Sequence, residues 1–303
     1  MRLAELKPSA LEAELRGMGC SYRVGPFVMR VRTDSPSVIE FFRGLYANHE
    51  HAPGEFAEAT VEVRLHRNRR PPWMSIAQLS LDGARMLPPA PAHHAAVLME
   101  FGLNWVIGAR AHSHLLLHSA VLERAGRVVV LPATSGSGKS TLCMALLSRG
   151  WRLFSDEFCV IRPEDDRVMP MPRGVSLKNQ SIDLARHFHP GVYITPTLHG
   201  TGKGQIAFMQ APRDALERVM ESARLGAFVF PRWEADAPLQ ATELSKGQSF
   251  ARAVENSMNY RALGERGFHC LARIVENVSS WTLLYSDTDA ALTWFDEFDG
   301  RMV

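Results

Sequence analysis

Apolar and polar positions in this chain alternate between two periods, and the switches between them mark out its elements. LEAELRGM (11–18) carries apolar residues at helical spacing, whereas VMRVRT (28–33) and TVEVRLHR (60–67) have the period-two pattern of half-buried strands. Between those strands, SPSVIEFFRGLYANH (35–49) opens with a serine and a proline and continues with helically spaced apolar residues, which predicts a capped helix. MSIAQLSLDG (74–83) reads as a short strand between two proline-bearing clusters, HRNRRPPW and MLPPAPAHH, and the second cluster is where a domain boundary is expected. Beyond it, 93–112 has helix-like intervals and leads into two β-rich runs, LLLHSAVLE and GRVVVLPA, joined by a turn at Ala125 and Gly126. Later, GAFVFPRW predicts a strand, LSKGQSFARAVENSMNY a helix and WTLLYSD a last strand. The expected division is a small α+β domain over 1–92 and a mixed α/β domain over 93–303.

Composition narrows the class. The 303 residues are 46% hydrophobic and 22% charged, with 34 basic against 32 acidic residues and a formal net charge of +2. That balance calls for neither nucleic acid nor an anionic membrane as a partner. Cys20, Cys143, Cys159 and Cys270 lie far apart, without the paired spacings of a zinc motif or disulfide framework, and read as reduced, buried residues. The N-terminal segment has no long apolar run to act as a signal or anchor, so a cytoplasmic setting is expected. Trp233, Trp281, Trp294 and Phe295 fall in strand or helix patterns and are expected in the core, while Arg69 and Arg70 read as a solvated linker corner.

The chemistry concentrates in VVVLPATSGSGKSTLCMALLSRG (128–150), where an apolar strand, a small-residue loop and a helix follow in the order of a phosphate-binding loop. Ser135, Gly136, Ser137 and Gly138 would turn backbone amides onto phosphates at a helix N-terminus, with Thr141 in its first turn. Lys139 would reach the β and γ phosphates, and the Ser140 hydroxyl would take a position on Mg²⁺. Ala133 stands where the motif has its leading glycine.

In RGWRLFSDEFCVI the acidic pair Asp156 and Glu157 interrupts an apolar strand pattern. Two carboxylates among apolar neighbours need compensation from a metal, a lysine or a substrate proton. One would handle the proton of an attacking hydroxyl and the other hold the metal, with Asp156 as acid/base and Glu157 as metal ligand the first assignment and the reverse also open. His118 breaks the apolar run LLLHSAVLE; a core histidine is the plainer reading, contact with Asp156 or a phosphate the functional one, and a metal set with His112 and His114 a third. Arg173 and Lys178, in PRGVSLKN, are cations that would neutralise phosphate charge, or solvated strand-end charges. LHGTGKGQ (198–205) lacks the strand and helix of a second phosphate loop and reads as a mobile segment carrying Lys203.

Four pieces, His118 on its strand, TSGSGKST, SRGWRLFSDE and PRGVSLKN, together resemble the HPr kinase/phosphorylase family, and more closely the HPr-kinase-related proteins of modification gene clusters. The resemblance spans about residues 115–179. It implies an α/β fold with a P-loop kinase core of the HPr kinase and phosphoenolpyruvate carboxykinase type, in which ATP and Mg²⁺ drive phosphorylation of a hydroxyl. By the same resemblance His118 is the active-site histidine, Lys139 and Ser140 contact phosphate and metal, and Asp156 is the acid/base. Glu157 replaces that family's second aspartate. The N-terminal region does not match the family's regulatory domain, so the implied acceptor is a serine or threonine of a peptide or small protein rather than HPr; the family's oligomers imply a homo-oligomer. A small-molecule kinase and a nucleotide-gated peptide-binding module are the rival readings. On this reading Lys139→Ala abolishes transfer and leaves the fold intact.

Overall fold

The computed structural model describes residues 1–67, 74–134, 136–201 and 204–298, without the side chain of Thr201. Arg69, Arg70, Ser135 and Lys203 therefore lie outside the described residues or on their unplaced parts, and so do the expectations attached to them. The chain divides into two compact units: Met1–Arg110 with Tyr193–Gln210, and Ala111–Val192 with the chain from Ala211 onward.

The first unit contains α1 (Pro8–Arg16), β1 (Cys20–Val24), β2 (Phe27–Thr33), α2 (Pro36–Leu45), β3 (Thr60–Arg67), β4 (Ser75–Leu81), β5 (Ala84–Arg85), β6 (Ala90–Pro91) and α3 (Ala95–Arg110). Its sheet runs β1-β2-β3-β4-β5, with β6 also on β4. The β2–β3 pair is parallel, which demands a crossover, and α2 supplies it. That helix begins as its sequence predicts, with the Ser35 hydroxyl accepting from the Val38 amide and proline in the first turn.

The boundary expected after residue 92 is displaced, because α3 belongs to this first unit. Its stripe of Met99, Leu103, Val106 and Ile107 is buried. At Gly102 an added Cβ would stand 2.8 Å from Val61 and 2.9 Å from Leu79, so the missing side chain lets the helix lie close on β3 and β4.

The second unit begins with β7 (Leu115–Arg124), β8 (Arg127–Pro132), α4 (Lys139–Ser148), β9 (Arg152–Ser155), β10 (Phe158–Arg162), β11 (Arg167–Met169), β12 (Val175–Lys178) and α5 (Gln180–Phe188). The hairpin β13 (Leu198–Thr201) and β14 (Gly204–Met209) returns to the first unit. The second unit then resumes with α6 (Arg213–Glu217), β15 (Ala223–Trp233), β16 (Gln240–Glu243), α7 (Lys246–Glu255), α8 (Tyr260–Asn277), β17 (Ser279–Tyr285) and α9 (Thr288–Phe298). The large sheet has the order β11-β10-β7-β8-β15-β17-β16, and β11 also pairs with β15. β8, β15 and β17 are mutually parallel, which accounts for the unbroken apolar runs of β8 and β15: both faces of these strands are covered. Ala125 and Gly126 take positive φ of 52° and 81° in the two-residue β7–β8 hairpin, the backbone that matches strand twist in so tight a turn. The mixed α/β class expected from the sequence is what is observed. No helix of the described residues is long and apolar enough to cross a membrane.

One ion pair is sealed inside the second unit. Glu123, at the end of β7, accepts from Arg152 Nε at 2.6 Å and from the Gly126 amide at 2.6 Å, and both charged side chains are only 4% exposed. Arg152 spends its remaining donors on the carbonyls of Arg218 and Glu221. Removing one member leaves the other's buried charge with only a distant, exposed counter-ion, Glu221 Oε2 at 3.7 Å from Arg152 or Arg218 at 4.0 Å from Glu123. Glu123→Gln is therefore expected to lower unfolding free energy by about 3 kcal/mol, read by denaturant titration, and Glu123→Gln with Arg152→Met to recover part of the loss.

Candidate functional site

The loop after β8 owes its form to the strand before it and the helix after it. Val128–Leu131 are fully buried and fix the strand end, and the chain turns through Gly136 and Gly138, at φ 93° and 84°, before α4 starts at Lys139. The two glycines differ in what they require. A Cβ on Gly138 would lie 2.6 Å from Tyr285 Oη and 3.0 Å from Trp233 Cβ, whereas one on Gly136 would face open space. Gly138 is thus demanded by backbone and by contact, Gly136 by backbone alone. The Trp233 amide donates to the Ser137 carbonyl at 3.1 Å and the Ser137 hydroxyl to the Thr134 carbonyl at 2.8 Å, so the ends of β15 and β17 brace the turn. Ala133, at the leading-glycine position, is buried. Thr141 lies in the first turn of α4, whose leading amides have no acceptor within the helix.

Directly beneath the helix start, Lys139 and Ser140 converge on Asp156. Lys139 Nζ donates to the Asp156 carbonyl and lies 3.3 Å from its Oδ1; Ser140 Oγ donates to Oδ2 at 3.1 Å, and the Ser176 amide of β12 to the same oxygen at 3.1 Å. Both Lys139 and Asp156 are buried. Burial raises the Asp156 carboxyl above the ordinary range, and the nearby Glu157 charge adds to this, against the opposing pull of Lys139. Burial would depress Lys139, but Asp156 and Glu157 outweigh it and raise the ammonium.

The acidic pair sits where it does because the strand opposite β7 breaks. Ser155 pairs with Val121 and Phe158 with His118, leaving Asp156 and Glu157 between β9 and β10. The Ser155 hydroxyl accepts from the amides of Glu157 (3.2 Å) and Phe158 (3.0 Å), turning the chain at the break. His118 Nδ1 lies 3.1 Å from the Glu157 carbonyl and 3.5 Å from its Oε2. A carbonyl only accepts, so Nδ1 carries the proton and Nε2 keeps a lone pair. Burial, reinforced by the Lys139 charge, lowers this imidazole below its ordinary value and keeps it neutral near pH 7.

The structure thus brings together Lys139, Ser140, Asp156, Glu157 and His118 with the loop residues Gly136, Ser137 and Gly138. Lys178 shares the face of β12 with Ser176, two residues on, while Arg173 is buried in the segment entering that strand. The histidine set does not assemble: among the described residues His112 and His114 join no group of potential metal ligands, and His114 Nδ1 is 2.9 Å from the Ser113 hydroxyl. Of LHGTGKGQ, Leu198–Thr201 lies on β13, and Gly204 and Gln205 begin the antiparallel partner β14. Trp233 is corrected from core residue to rim: it is 47% exposed, with its indole donating to the Ser286 carbonyl.

Sequence reading passed over Ser155, Ser176, Tyr285 and Arg252. A cleft of about 600 Å³ opens beside the loop, with Thr134, Gly136 and Ser137 on its lining together with Phe230, Arg252 and Asn256. The Arg252 guanidinium stacks over Phe230 at 5.5 Å and donates to Thr282 Oγ1 at 3.1 Å. Only a helical period around Arg252 was legible, because the partners that orient it lie on separate strands.

No protein-family model matches this chain, and no curated protein matches it either. Among solved structures, the Hpr(Ser) kinase/phosphatase from Coxiella burnetii is similar with a TM-score of 0.31 and 13% identity, over 62% of this chain and 97% of that one.

Two outcomes follow from the geometry. Gly138→Ala is expected to cost about 1–3 kcal/mol, and more than Gly136→Ala, in denaturant titrations; equal costs would mean that Tyr285 and Trp233 do not brace the turn. Lys139→Met leaves the buried Asp156 without its cation, so a double-mutant cycle with Asp156→Asn should show a coupling of about 1–3 kcal/mol.

Proposed function

We propose that this chain is an ATP- and Mg²⁺-dependent phosphotransferase with a P-loop kinase core, acting on a hydroxyl of a serine or threonine in a peptide or small protein. The observation that carries the reading is the convergence of Lys139 and Ser140, at the start of a helix behind a glycine turn, on one buried carboxylate.

The residues fit the groups they would hold. The open space at Gly136 leaves room for phosphate oxygens against the turn, and the leading amides of α4 point a partial positive charge at the same place. Ser140 Oγ and the partly exposed Glu157 offer the hard oxygen ligands that Mg²⁺ takes. When bound, Mg²⁺ neutralises charge that develops between the outer phosphates.

The chain's own groups do the rest. Lys139 is held charged, and it exchanges its contact with Asp156 for a phosphate oxygen. The carboxylate so released is raised by burial, which suits it to take the proton of the attacking hydroxyl. Transfer breaks the bond between the γ-phosphorus and the β–γ bridging oxygen and forms one to the acceptor oxygen, with ADP leaving. His118 Nε2, neutral and unprotonated, is a second place for that proton, and Lys178 and Arg173 supply positive charge from the β12 side. The cleft with Phe230 and Arg252 has the size of a small-ligand site and provides an apolar wall and a cation next to the loop. The peptide acceptor rests on the resemblance of the motif order to the HPr-kinase-related proteins.

The test is transfer of labelled γ-phosphate to peptides encoded by neighbouring genes, followed by mass spectrometry. Phosphorylation of a serine or threonine is expected, reduced at least about a hundredfold in Lys139→Met and in Asp156→Asn, with the fold of each verified by circular dichroism. Absence of adenine nucleotide binding, or undiminished transfer in Asp156→Asn, overturns the proposal. ATP binding with no product in any acceptor screen would make the chain a binding module instead.

A further inference from the structure

In the first unit, away from the loop, Glu14, Cys20 and His51 bring a carboxylate oxygen, a thiol sulfur and a ring nitrogen within 4.8 Å of one another. They come from α1, from the first residue of β1 and from the segment after α2. Backbone bonds hold each in place. The Gly19 amide donates to the Glu14 carbonyl at 2.9 Å, and Gly19 takes φ 96°, folding Cys20 back beside the helix. His51 forms an antiparallel bridge with Tyr22, its amide donates to the Met1 carbonyl, and the next amide, Ala52, donates to Ser21. The cluster is therefore assembled by three separate stretches of chain before any ligand arrives.

We propose that Glu14, Cys20 and His51 form a Zn²⁺ site, with water as its fourth ligand. The donor set is one sulfur, one imidazole nitrogen and one carboxylate oxygen, a combination suited to zinc and poorly suited to Mg²⁺ or Ca²⁺, which take oxygen ligands. With bonds of about 2.0–2.3 Å, tetrahedral ligand atoms stand roughly 3.3–3.8 Å apart; the present spacing reaches that by small side-chain movements. Charge closes as well, since one thiolate and one carboxylate balance the ion and leave a neutral buried centre.

Access is available at one side only. Cys20 is fully buried and the His51 side chain is 4% exposed, but the Glu14 side chain is 36% exposed and leaves a route for ion and water. Without an ion, Glu14 takes hydrogen bonds from both other members, His51 Nε2 at 2.9 Å from Glu14 Oε2 and the Cys20 thiol, while His51 Nδ1 is buried with no hydrogen-bond partner. On binding, the zinc bonds form to Sγ, Nε2 and a Glu14 oxygen. The thiol proton leaves to solvent, and the ring proton moves from Nε2 to Nδ1, so one proton is released per ion. The ion would pin α1 to β1 and to the His51 segment, which makes it a clamp on the N-terminal part of this unit.

The experiment uses the full chain, stripped with chelator and titrated with Zn²⁺, with Co²⁺ as the spectroscopic probe. Expected are one ion per chain, a Tm that rises with Zn²⁺, and Co²⁺ spectra with tetrahedral ligand-field bands and a thiolate charge-transfer band. Glu14→Gln, at the partly exposed ligand, should keep the fold and weaken Zn²⁺ binding at least about tenfold, and Cys20→Ala should abolish the charge-transfer band. Substoichiometric metal, a Co²⁺ spectrum without the thiolate band, or Glu14→Gln binding as tightly as the wild type would overturn the proposal and leave a hydrogen-bonded cluster. Lys139→Met should bind Zn²⁺ unchanged, which separates this site from the phosphotransferase reading.

Discussion

The second unit is organised around a lysine and an aspartate that neither could bury alone. An ammonium and a carboxylate taken out of water cost several kcal/mol each, of the order of the stability of a whole domain. Lys139 and Asp156 tolerate that site because each compensates the other and because Ser140 and the Ser176 amide complete the carboxylate's hydrogen bonds.

That constraint explains features that would otherwise look unrelated. The helix must begin immediately at Lys139 for its side chain to reach Asp156, so the turn before it has to be made by a residue at positive φ, and Gly138 makes it. Tyr285 and Trp233 then close on Gly138 so tightly that no side chain fits there. On the other side, the strand facing β7 has to break for its carboxylate to turn toward the helix, and Ser155 caps the break with two accepted amide bonds. His118 lies across from that break, its Nδ1 hydrogen-bonded to the Glu157 carbonyl.

The first unit follows a plainer logic. A five-strand path with one parallel step is covered by helices carrying buried apolar stripes, and Gly102 leaves α3 no side chain against Val61 and Leu79. Three chain segments there bring Glu14, Cys20 and His51 together. The cysteine spacing along the chain gave no sign of this, because motif reading looks for ligands close in sequence and these lie on different elements.

What the sequence by itself determined is local. Period-two runs at 28–33 and 60–67 and the β-rich run at 115–123 became strands, Ser35 and Pro36 started a helix, Ala125 and Gly126 made a two-residue hairpin, and the order strand, glycine turn, helix around Gly136 to Ser140 was legible, because propensity, capping and turn chemistry act over a few residues. The helix α8 over Tyr260–Asn277 was not, since Gly264 inside it takes φ 55° and interrupts the period. Only the tertiary structure decided which unit α3 joins, that Asp156 rather than Glu157 meets Lys139, that Trp233 stands at the rim, and that Arg252 stacks on Phe230. Each of these depends on strand pairing and packing between residues far apart in the chain, and no local pattern carries the energy of a contact that forms only when distant segments close.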